Sequence, residues 1–265
     1  MNWLDTIVAH KKQELIDAKK AVPLEFYQAQ IGDNCSKHSL LRTIKQRGGF
    51  HFIGEVKRAS PSRGIISSDF DPLQQAKCYA KGGASAISIL TDSQFFMGNL
   101  ADLQVIREQI DLPLLRKDFI VDPYQIYESR YYQANIVLLI ARILSPKQIT
   151  QFCELATKLA LEVLLELATE NDLVKIPSNH SNLILAINNR DLANFEVELN
   201  NSFHLKPLLP DDIPVISASG ISNTDECVRL FKNGFAGALI GESLMRDREP
   251  DSLLKKFRSA IANAG

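Results

Sequence analysis

Short apolar runs recur at regular intervals along most of the chain, and amphipathic helical patterns separate most of them. The eight runs occupy residues 51–57, 85–90, 113–117, 135–140, 162–167, 183–188, 213–218 and 236–240. Strands that alternate with helices predict parallel pairing through right-handed crossovers. Eight such units in roughly 215 residues fit a (β/α)8 barrel, the TIM-barrel fold, which typically needs ~250 residues in all. The sequence therefore predicts an α/β chain with a closed parallel barrel.

Helical periodicity fills most of the intervals between the runs. The predicted helices cover residues 72–82, 99–109, 123–132, 146–160, 169–175, 222–233 and 250–262. Asp71, Asp122 and Ser145 each precede a proline, which places a capping side chain before proline at the first helical position. Residues 191–209 are less regular, and we expect only a short helix there.

Three further helices are predicted before the first strand, at residues 2–20, 24–30 and 39–47. No stretch rich in Pro, Gly and Ser divides the chain. We therefore expect a single domain over residues 1–265, with an N-terminal helical extension at 1–49 and the barrel at 50–265. An open doubly wound sheet is the main rival, but the Gly-x-Gly-x-x-Gly turn that often follows its first strand is absent.

Charge and hydropathy exclude several classes of partner. The formal net charge of −1 offers no global attraction for nucleic acid or acidic lipid, and no apolar run approaches the ~20 residues of a membrane span. The N-terminus lacks the uninterrupted apolar stretch of a signal peptide. Cys35, Cys78, Cys153 and Cys227 have no short spacing, which favours reduced thiols over a zinc site or a disulfide framework. We expect a cytoplasmic protein that binds neither nucleic acid nor membrane.

Charged and polar residues collect where the predicted strands end, which in a barrel is where catalytic groups lie. The residues concerned are Glu55, Lys57, Lys117, Glu166, Asn188 and Arg190. Strand periodicity places Ile53, Glu55 and Lys57 on one face, with Phe52 and Val56 on the other. Any one of these charges could be a solvated rim residue, and Asn188 and Arg190 could close a turn. Together they predict one mouth that suits an anionic substrate and offers an acid–base pair.

The residues that follow the last two predicted strands indicate a phosphate-binding site. Ser219-Gly220 follows the seventh strand and Gly241 follows the eighth, where barrel loops commonly hold phosphate through backbone N–H groups. Ordinary turn glycines are the alternative interpretation. The histidines lie away from these strand ends, and no cluster of metal ligands is visible, so we expect no metal.

Residues 54–64, Gly-Glu-Val-Lys-Arg-Ala-Ser-Pro-Ser-Arg-Gly, resemble the signature of the indole-3-glycerol phosphate synthase family. The resemblance continues in order through residues 90–98, 114–124, 164–166, 187–192, 219–221 and 239–246. It implies a lyase of tryptophan biosynthesis that needs no cofactor. The reaction is ring closure of 1-(2-carboxyphenylamino)-1-deoxyribulose 5-phosphate to indole-3-glycerol phosphate, CO2 and water.

The resemblance also implies a role for each matching residue. Lys117 is expected to be the general acid that protonates the ribulose carbonyl oxygen, and Glu166 is expected to transfer a proton during dehydration. Lys57 is expected to bind the substrate carboxylate, and Glu55 to hold the site. The remaining substrate-binding residues are expected to be Ser60, Phe96, Phe119, Leu138, Asn188 and Arg190. Phosphate is expected at Ser219, Gly220, Gly241 and Glu242, the last two through their backbone N–H groups.

Two positions depart from the family pattern. Ala218 stands where the family usually has glutamate, and Leu167-Ala168 follows Glu166 where Val-His or Ile-Asn is frequent. We expect activity, reduced if these losses matter. Two alternatives remain: a barrel similar to phosphoribosylanthranilate isomerase, and a non-catalytic binding subunit. The loop at 58–66 is the candidate lid, and a monomer or weak homodimer is expected.

Overall fold

The computed structural model describes residues 3–32, 37–61, 64–65, 70–178, 181–191 and 196–265. Within these residues the strands are β1 (His51–Val56), β2 (Ala59–Ser60), β3 (Gly64–Ile65), β4 (Ala86–Leu90), β5 (Leu114–Lys117), β6 (Ile136–Ile140), β7 (Glu162–Leu167), β8 (Leu183–Asn188), β9 (Val215–Ala218) and β10 (Gly237–Ile240). All but β2 and β3 form a closed parallel barrel in the order β1-β10-β9-β8-β7-β6-β5-β4. The predicted barrel fold is confirmed.

Helices connect the strands in the alternating order that the sequence predicts. The α-helices are α1 (Trp3–Ala21), α2 (Leu24–Gln30), α3 (Leu40–Arg47), α4 (Pro72–Gly82), α5 (Ser93–Phe96), α6 (Asp102–Arg107), α7 (Pro123–Tyr131), α8 (Pro146–Lys158), α9 (Asn200–Leu205), α10 (Thr224–Lys232), α11 (Glu242–Arg246) and α12 (Pro250–Ala262). Short 3₁₀ helices cover Ala141–Ile143, Glu170–Lys175 and Lys206–Leu208. The helix predicted at 169–175 is thus a 3₁₀ helix, and α5, α11 and the β2–β3 ribbon are too short for their periodicity to be detected.

The sequences of the barrel strands are nearly continuous apolar runs, because both faces of each strand are buried. Phe52 and Val56 pack in the layer between the barrel and its helices, whereas Ile53 packs inside the barrel with Leu115 and Ala186. The predicted alternation along β1 is confirmed. At the end of each strand, the residues that follow the inward-facing pattern therefore face the mouth of the barrel.

The three predicted caps start their helices as expected. The Asp71 side chain accepts hydrogen bonds from the backbone at the start of α4, Asp122 does so at α7, and Ser145 at α8. Each is followed by proline at the first helical position, where the missing N–H costs nothing. These caps set the ends of the loops that follow the preceding strands.

The N-terminal helices run from one end of the barrel to the other. Lys11 of α1 contacts Asp92 and Asp118, which lie just beyond the C-terminal ends of β4 and β5. Tyr27 of α2 packs against α7, with its ring centroid 5.3 Å from that of Tyr124. At the opposite end, the backbone N–H of Leu40 in α3 donates to Glu162, the first residue of β7, at 3.0 Å. The extension therefore contacts both the catalytic face and the strand starts.

No helix among the described residues is long and apolar enough to cross a membrane.

Candidate active site

A cavity of about 920 Å³ opens at the C-terminal ends of the barrel strands. It gathers residues predicted for the site from the ends of seven barrel strands and the loops that follow them. These are Glu55, Lys57, Ser60, Phe96, Lys117, Glu166, Asn188, Arg190, Ser219, Gly220, Gly241 and Glu242. Parallel strands closed into a barrel bring residues distant in sequence to one mouth. The structure thus assembles the predicted constellation, while the role of each residue stays a prediction.

Phe119 and Leu138, predicted to wall the substrate ring, lie elsewhere. Both belong to the apolar cluster inside the barrel and are 7% and 1% exposed. Phe96 does line the cavity, and its ring centroid is 6.0 Å from that of Phe119. Phe119 therefore packs beside Phe96, which lies against the apolar cluster inside the barrel.

Glu55 and Lys57 form a close ion pair at the end of β1. Lys57 Nζ lies 2.7 Å from Glu55 Oε1, and both side chains are largely buried. Burial alone would raise the pKa of Glu55, but the positive charges of Lys57, Lys117 and Arg190 outweigh it and the pKa falls below its usual value. Glu55 is therefore an anion that orients cations at the mouth of the cavity.

Lys117 and Glu166 face each other across the cavity. Lys117 Nζ is 3.6 Å from Glu166 Oε2, and the other carboxylate oxygen accepts a hydrogen bond of 3.1 Å from Asn188 Nδ2. Burial opposes the charge on Lys117, but Glu166 and Glu55 prevail and raise the pKa of the ammonium group. Lys117 is thus held protonated next to a fixed carboxylate, which is the arrangement of a proton donor with an adjacent acceptor.

The loops after β9 and β10 form the other side of the cavity. Ser219 and Gly220 have φ angles of 69° and 79°, in the left-handed region that serine seldom adopts. Such strain persists where the surroundings enforce it, often at binding sites. The Ser243 hydroxyl donates to the Ile221 carbonyl at 2.8 Å and so joins the two loops. Consecutive left-handed residues let the backbone turn sharply beside a ligand.

Glu242 links two arginines at the rim of the cavity. Its carboxylate lies 3.3 Å from the guanidinium of Arg190 and 3.3 Å from that of Arg246, and Arg246 also lines the cavity. Sequence reasoning missed Arg246, although its position four residues after Glu242 is the helical spacing at which opposite charges pair. The other lining residues missed are Pro61, Leu90, Val197, Ile221, Ser222, Leu239, Ile240 and Ser243.

Gly241 allows the loop after β10 to approach Glu55. A Cβ at this position would lie 2.5 Å from Glu55 Oε1. We expect Gly241→Ala to displace the Glu55 carboxylate and the adjacent loop, and to raise KM for a phosphorylated substrate by about 10-fold or more. Steady-state kinetics at saturating and limiting substrate measure the effect. Gly32→Ala serves as a control for the glycine-to-alanine change, because no atom lies within 4 Å of its added Cβ. Equal KM values for wild type and Gly241→Ala would contradict the expectation.

The predicted lid is described only in part. Ala59 and Ser60 pair antiparallel with Gly64 and Ile65 in a short ribbon. Ser62 and Arg63 lie outside the described residues, as does residue 66. Ser60 lines the cavity, so the start of the loop reaches the site.

Ala218 lines the cavity at the end of β9. It is 3% exposed, and in register it lies between Asn188 of β8 and Leu239 of β10. The departure from the family pattern therefore removes a carboxylate from the cavity wall itself, next to an amide predicted to bind substrate.

Lys117 lies between two residues that are anchored on the outside of the barrel. Arg116 contacts Asp118 at 3.1 Å and Glu128 at 2.8 Å. Asp118 also accepts a hydrogen bond of 2.6 Å from the Thr91 hydroxyl. Sequence reasoning identified this strand end but not the buried network behind it, because its partners come from separate parts of the chain.

The buried network makes the free energy of unfolding depend on pH through Asp118. Burial would raise the pKa of this carboxyl, but Arg116 and Lys11 outweigh it and lower the pKa to about 2, below the usual value for aspartate. Asp118 therefore stabilises the fold above about pH 4 and loses that contribution as the pH falls through 2, which amounts to roughly 2 kcal/mol. We expect Asp118→Asn to be less stable at neutral pH and to lose this part of the acid dependence.

Urea unfolding at several pH values between about 5 and 2 measures this effect. Asp17→Asn is the matched control, because Asp17 is an exposed carboxylate and its removal should leave the acid dependence as in wild type. Parallel curves for wild type and Asp118→Asn would contradict the prediction.

Within the described parts of the chain, no group of three or more His, Cys, Asp or Glu side chains is placed to hold a metal ion. Cys153 and Cys227 are buried free thiols and Cys78 is partly buried, whereas Cys35 lies outside the described residues.

Comparison with known proteins identifies the relatives of this chain. The family model described as indole-3-glycerol phosphate synthase matches residues 4–257. A protein of that name from Lacticaseibacillus paracasei is 40% identical over 248 residues, which cover 94% of this chain and 92% of the relative. Another from Salinibacter ruber is 41% identical over 261 residues, covering 98% and 96%.

A solved structure of 3-hexulose-6-phosphate synthase from Salmonella typhimurium has a TM-score of 0.64 at 12% identity, and the match covers 82% of this chain and 100% of that one. At this identity the likeness concerns the fold alone. The family match over nearly the whole chain and the two relatives at about 40% identity go further. The chain belongs to the indole-3-glycerol phosphate synthase family.

Proposed function

We propose that this chain catalyses the conversion of 1-(2-carboxyphenylamino)-1-deoxyribulose 5-phosphate to indole-3-glycerol phosphate, CO2 and water. The observation that carries the proposal is the protonated Lys117 placed 3.6 Å from Glu166 at the mouth of the barrel. Ring closure, decarboxylation and dehydration need a proton donor and an acceptor side by side, and this pair supplies both. Membership of the family supports the same conclusion.

The cavity suits the size and charge of this substrate. Its volume of about 920 Å³ is within the range of sites for small organic molecules. The cations among its lining residues are Lys57, Lys117, Arg190 and Arg246, and the anions are Glu55, Glu166 and Glu242, so that 4 − 3 = +1. A substrate with a carboxylate and a phosphate gains from this excess of positive charge. We assign the carboxylate to Lys57 and the phosphate to the loops after β9 and β10.

The first chemical step joins the ring carbon that bears the carboxylate to the ribulose carbonyl carbon. As the new bond forms, the carbonyl oxygen gains negative charge and takes a proton from the Lys117 ammonium group. The bond to the carboxylate then breaks, CO2 leaves, and its electron pair restores the aromatic ring. The amine nitrogen attached to the ring donates its lone pair as the new bond forms, and the iminium that results accepts the electrons released with CO2, so this step calls for no cofactor.

The last step removes water to form the indole double bond. Glu166 is placed to transfer a proton in this step, because one of its oxygens faces Lys117 and the other is held by Asn188. Asn188 keeps the carboxylate in one orientation, which is a condition for proton transfer at short range. Lys117 and Glu166 therefore act in successive steps at one place.

A fluorescence assay for indole product formation tests the proposal with the purified chain. We expect continuous product formation from 1-(2-carboxyphenylamino)-1-deoxyribulose 5-phosphate. Binding of indole-3-glycerol phosphate without turnover would instead support a non-catalytic binding subunit and overturn the proposal. Turnover of phosphoribosylanthranilate in its place would support the isomerase-like alternative, whose Cys/Asp pair is absent from the described cavity lining. That the chain is a monomer or weak homodimer in the cytoplasm stays a prediction.

A further inference from the structure

Lys11 is a buried cation in the middle of the N-terminal helix α1. Its side chain is 2% exposed, and its Nζ lies 3.0 Å from Asp92 Oδ2 and 3.1 Å from Asp118 Oδ1. Glu14, at 3.0 Å on the same helix, adds a partly exposed third carboxylate. Burial opposes the charge on Lys11, but Asp118 and Asp92 outweigh it and raise its pKa above the usual value. Lys11 is therefore a permanent positive charge between two buried carboxylates.

Each of the two aspartates holds a part of the active site. Asp92 caps α5 by accepting a hydrogen bond of 2.7 Å from the backbone N–H of Phe95, and the next residue, Phe96, lines the cavity. Asp118 follows Lys117 directly and accepts a hydrogen bond of 2.8 Å from the Phe119 backbone. Through these two carboxylates, Lys11 connects α1 to the aromatic wall and to the proton donor.

Such a connection is more than a local stabilising contact. A buried ion pair contributes little net stability compared with apolar packing, but its loss leaves uncompensated charges that must move or take up water. Without Lys11, Asp92 and Asp118 would lie close together with Arg116 as the remaining cation at Asp118. The two carboxylates then repel each other, and they also lose the ammonium group that bridged them. We expect the ends of β4 and β5 to separate, and the loss of the bridge persists when one carboxylate is neutralised.

We propose that Lys11 is a positioning residue, which holds the ends of β4 and β5 together so that Phe96 and Lys117 keep their places opposite Glu166. The proposal rests on the proposed function for its kinetic consequence, since it concerns the same site. Lys117 and Glu166 are 3.6 Å apart, and a misplacement of about 1 Å can cost on the order of 10²-fold in rate.

The kinetic test compares variants at the middle and at the C-terminal end of α1. Lys11→Met removes the charge at similar side-chain length, and the double variant Lys11→Met/Asp92→Asn also removes a stranded carboxylate while leaving an asparagine cap for α5. Lys19→Met is the matched control, because Lys19 also forms an ion pair between α1 and the barrel, at 2.7 Å to Asp122, but this pair is more exposed and includes neither Asp92 nor Asp118.

For both Lys11 variants we expect kcat to fall by about tenfold or more with KM changed by less than about threefold, and for Lys19→Met we expect wild-type kinetics. A folded double variant with wild-type kcat would overturn the proposal. Trp3, the single tryptophan of the chain, packs edge-on against Phe95 at 6.3 Å and reports whether α1 stays docked. A red shift of its emission accompanying the loss of kcat would assign the loss to undocking of α1 and would likewise overturn it.

A second measurement does not need turnover. The rate at which a small acetylating reagent modifies Lys117, followed by peptide mass spectrometry, reports how closely Glu166 holds the ammonium group. We expect faster acetylation of Lys117 in the double variant than in wild type or Lys19→Met, and equal rates would overturn the proposal. If wild type fails to convert the substrate, the proposed function fails, while the acetylation rates still decide the role of Lys11.

Discussion

Replacing Lys117 with alanine is expected to lower kcat by about 10²–10⁴-fold while substrate binding stays measurable. Lys117 carries the proton that the ribulose oxygen needs at the moment of ring closure. Its pKa is raised by Glu166 and Glu55 against the effect of burial, so the donor form predominates throughout the neutral range. The phosphate and the carboxylate of the substrate would still have Arg190, Lys57 and the loops after β9 and β10, which is why binding should survive.

Lys117→Arg separates proton donation from simple charge. Arginine keeps the positive charge but does not release its proton in proteins. If Lys117 is the general acid, Lys117→Arg should be nearly as slow as Lys117→Ala; if Lys117 only attracts the substrate, Lys117→Arg should recover most of the activity. Single-turnover product fluorescence measures both variants. A Lys117→Ala protein within about threefold of wild type would contradict the assignment.

Glu166→Gln should slow the reaction by about 10²-fold and shift its pH dependence. Glutamine keeps the size of the side chain and can still accept the hydrogen bond from Asn188, so the geometry should persist. The negative charge next to Lys117 is lost, however, and it is the strongest of the contributions that raise the pKa of Lys117. Since burial then prevails more easily, the pKa of Lys117 should fall, and the alkaline limb of the kcat profile should move to lower pH.

Kcat measured from pH 6 to pH 10 or above tests this expectation. Glu170→Gln is a control that removes a carboxylate from the segment after the same strand, where Glu170 pairs with exposed His204 at 2.8 Å and does not line the cavity. Its profile should match that of wild type. An alkaline limb of Glu166→Gln that coincides with that of wild type would show that Glu166 does not control the protonation of Lys117.

Much of this architecture could be predicted from local patterns. The alternation of Ile53, Glu55 and Lys57 against Phe52 and Val56 is a property of extended backbone, so it could be assigned without knowing any contact. The caps at Asp71, Asp122 and Ser145 act within a few residues of themselves. Short elements were missed because two to four residues carry no measurable period, as in α5 and the β2–β3 ribbon.

Phe119 and Leu138 show that sequence position does not determine how deep in the barrel a side chain lies. The resemblance implied that Phe119 and Leu138 contact the ring of the substrate, and that role stays a prediction. The structure places both in the packed interior, because how deep a side chain lies depends on how the neighbouring strands are staggered. That stagger depends on the pairing between strands and cannot be predicted from the sequence of one strand.

Three features follow from the sequence, because each depends on neighbours within a few residues. They are the succession of strands and helices along the chain, the side on which each strand residue faces, and the charged residues at the strand ends. The distances between groups on different strands do not: only the closed barrel places Lys117 3.6 Å from Glu166. Nor does the docking of α1, which buries Lys11 between Asp92 and Asp118, about 80 and 107 residues further along the chain. Contacts at such separations form only when the whole chain packs, since their geometry depends on every strand and helix between them.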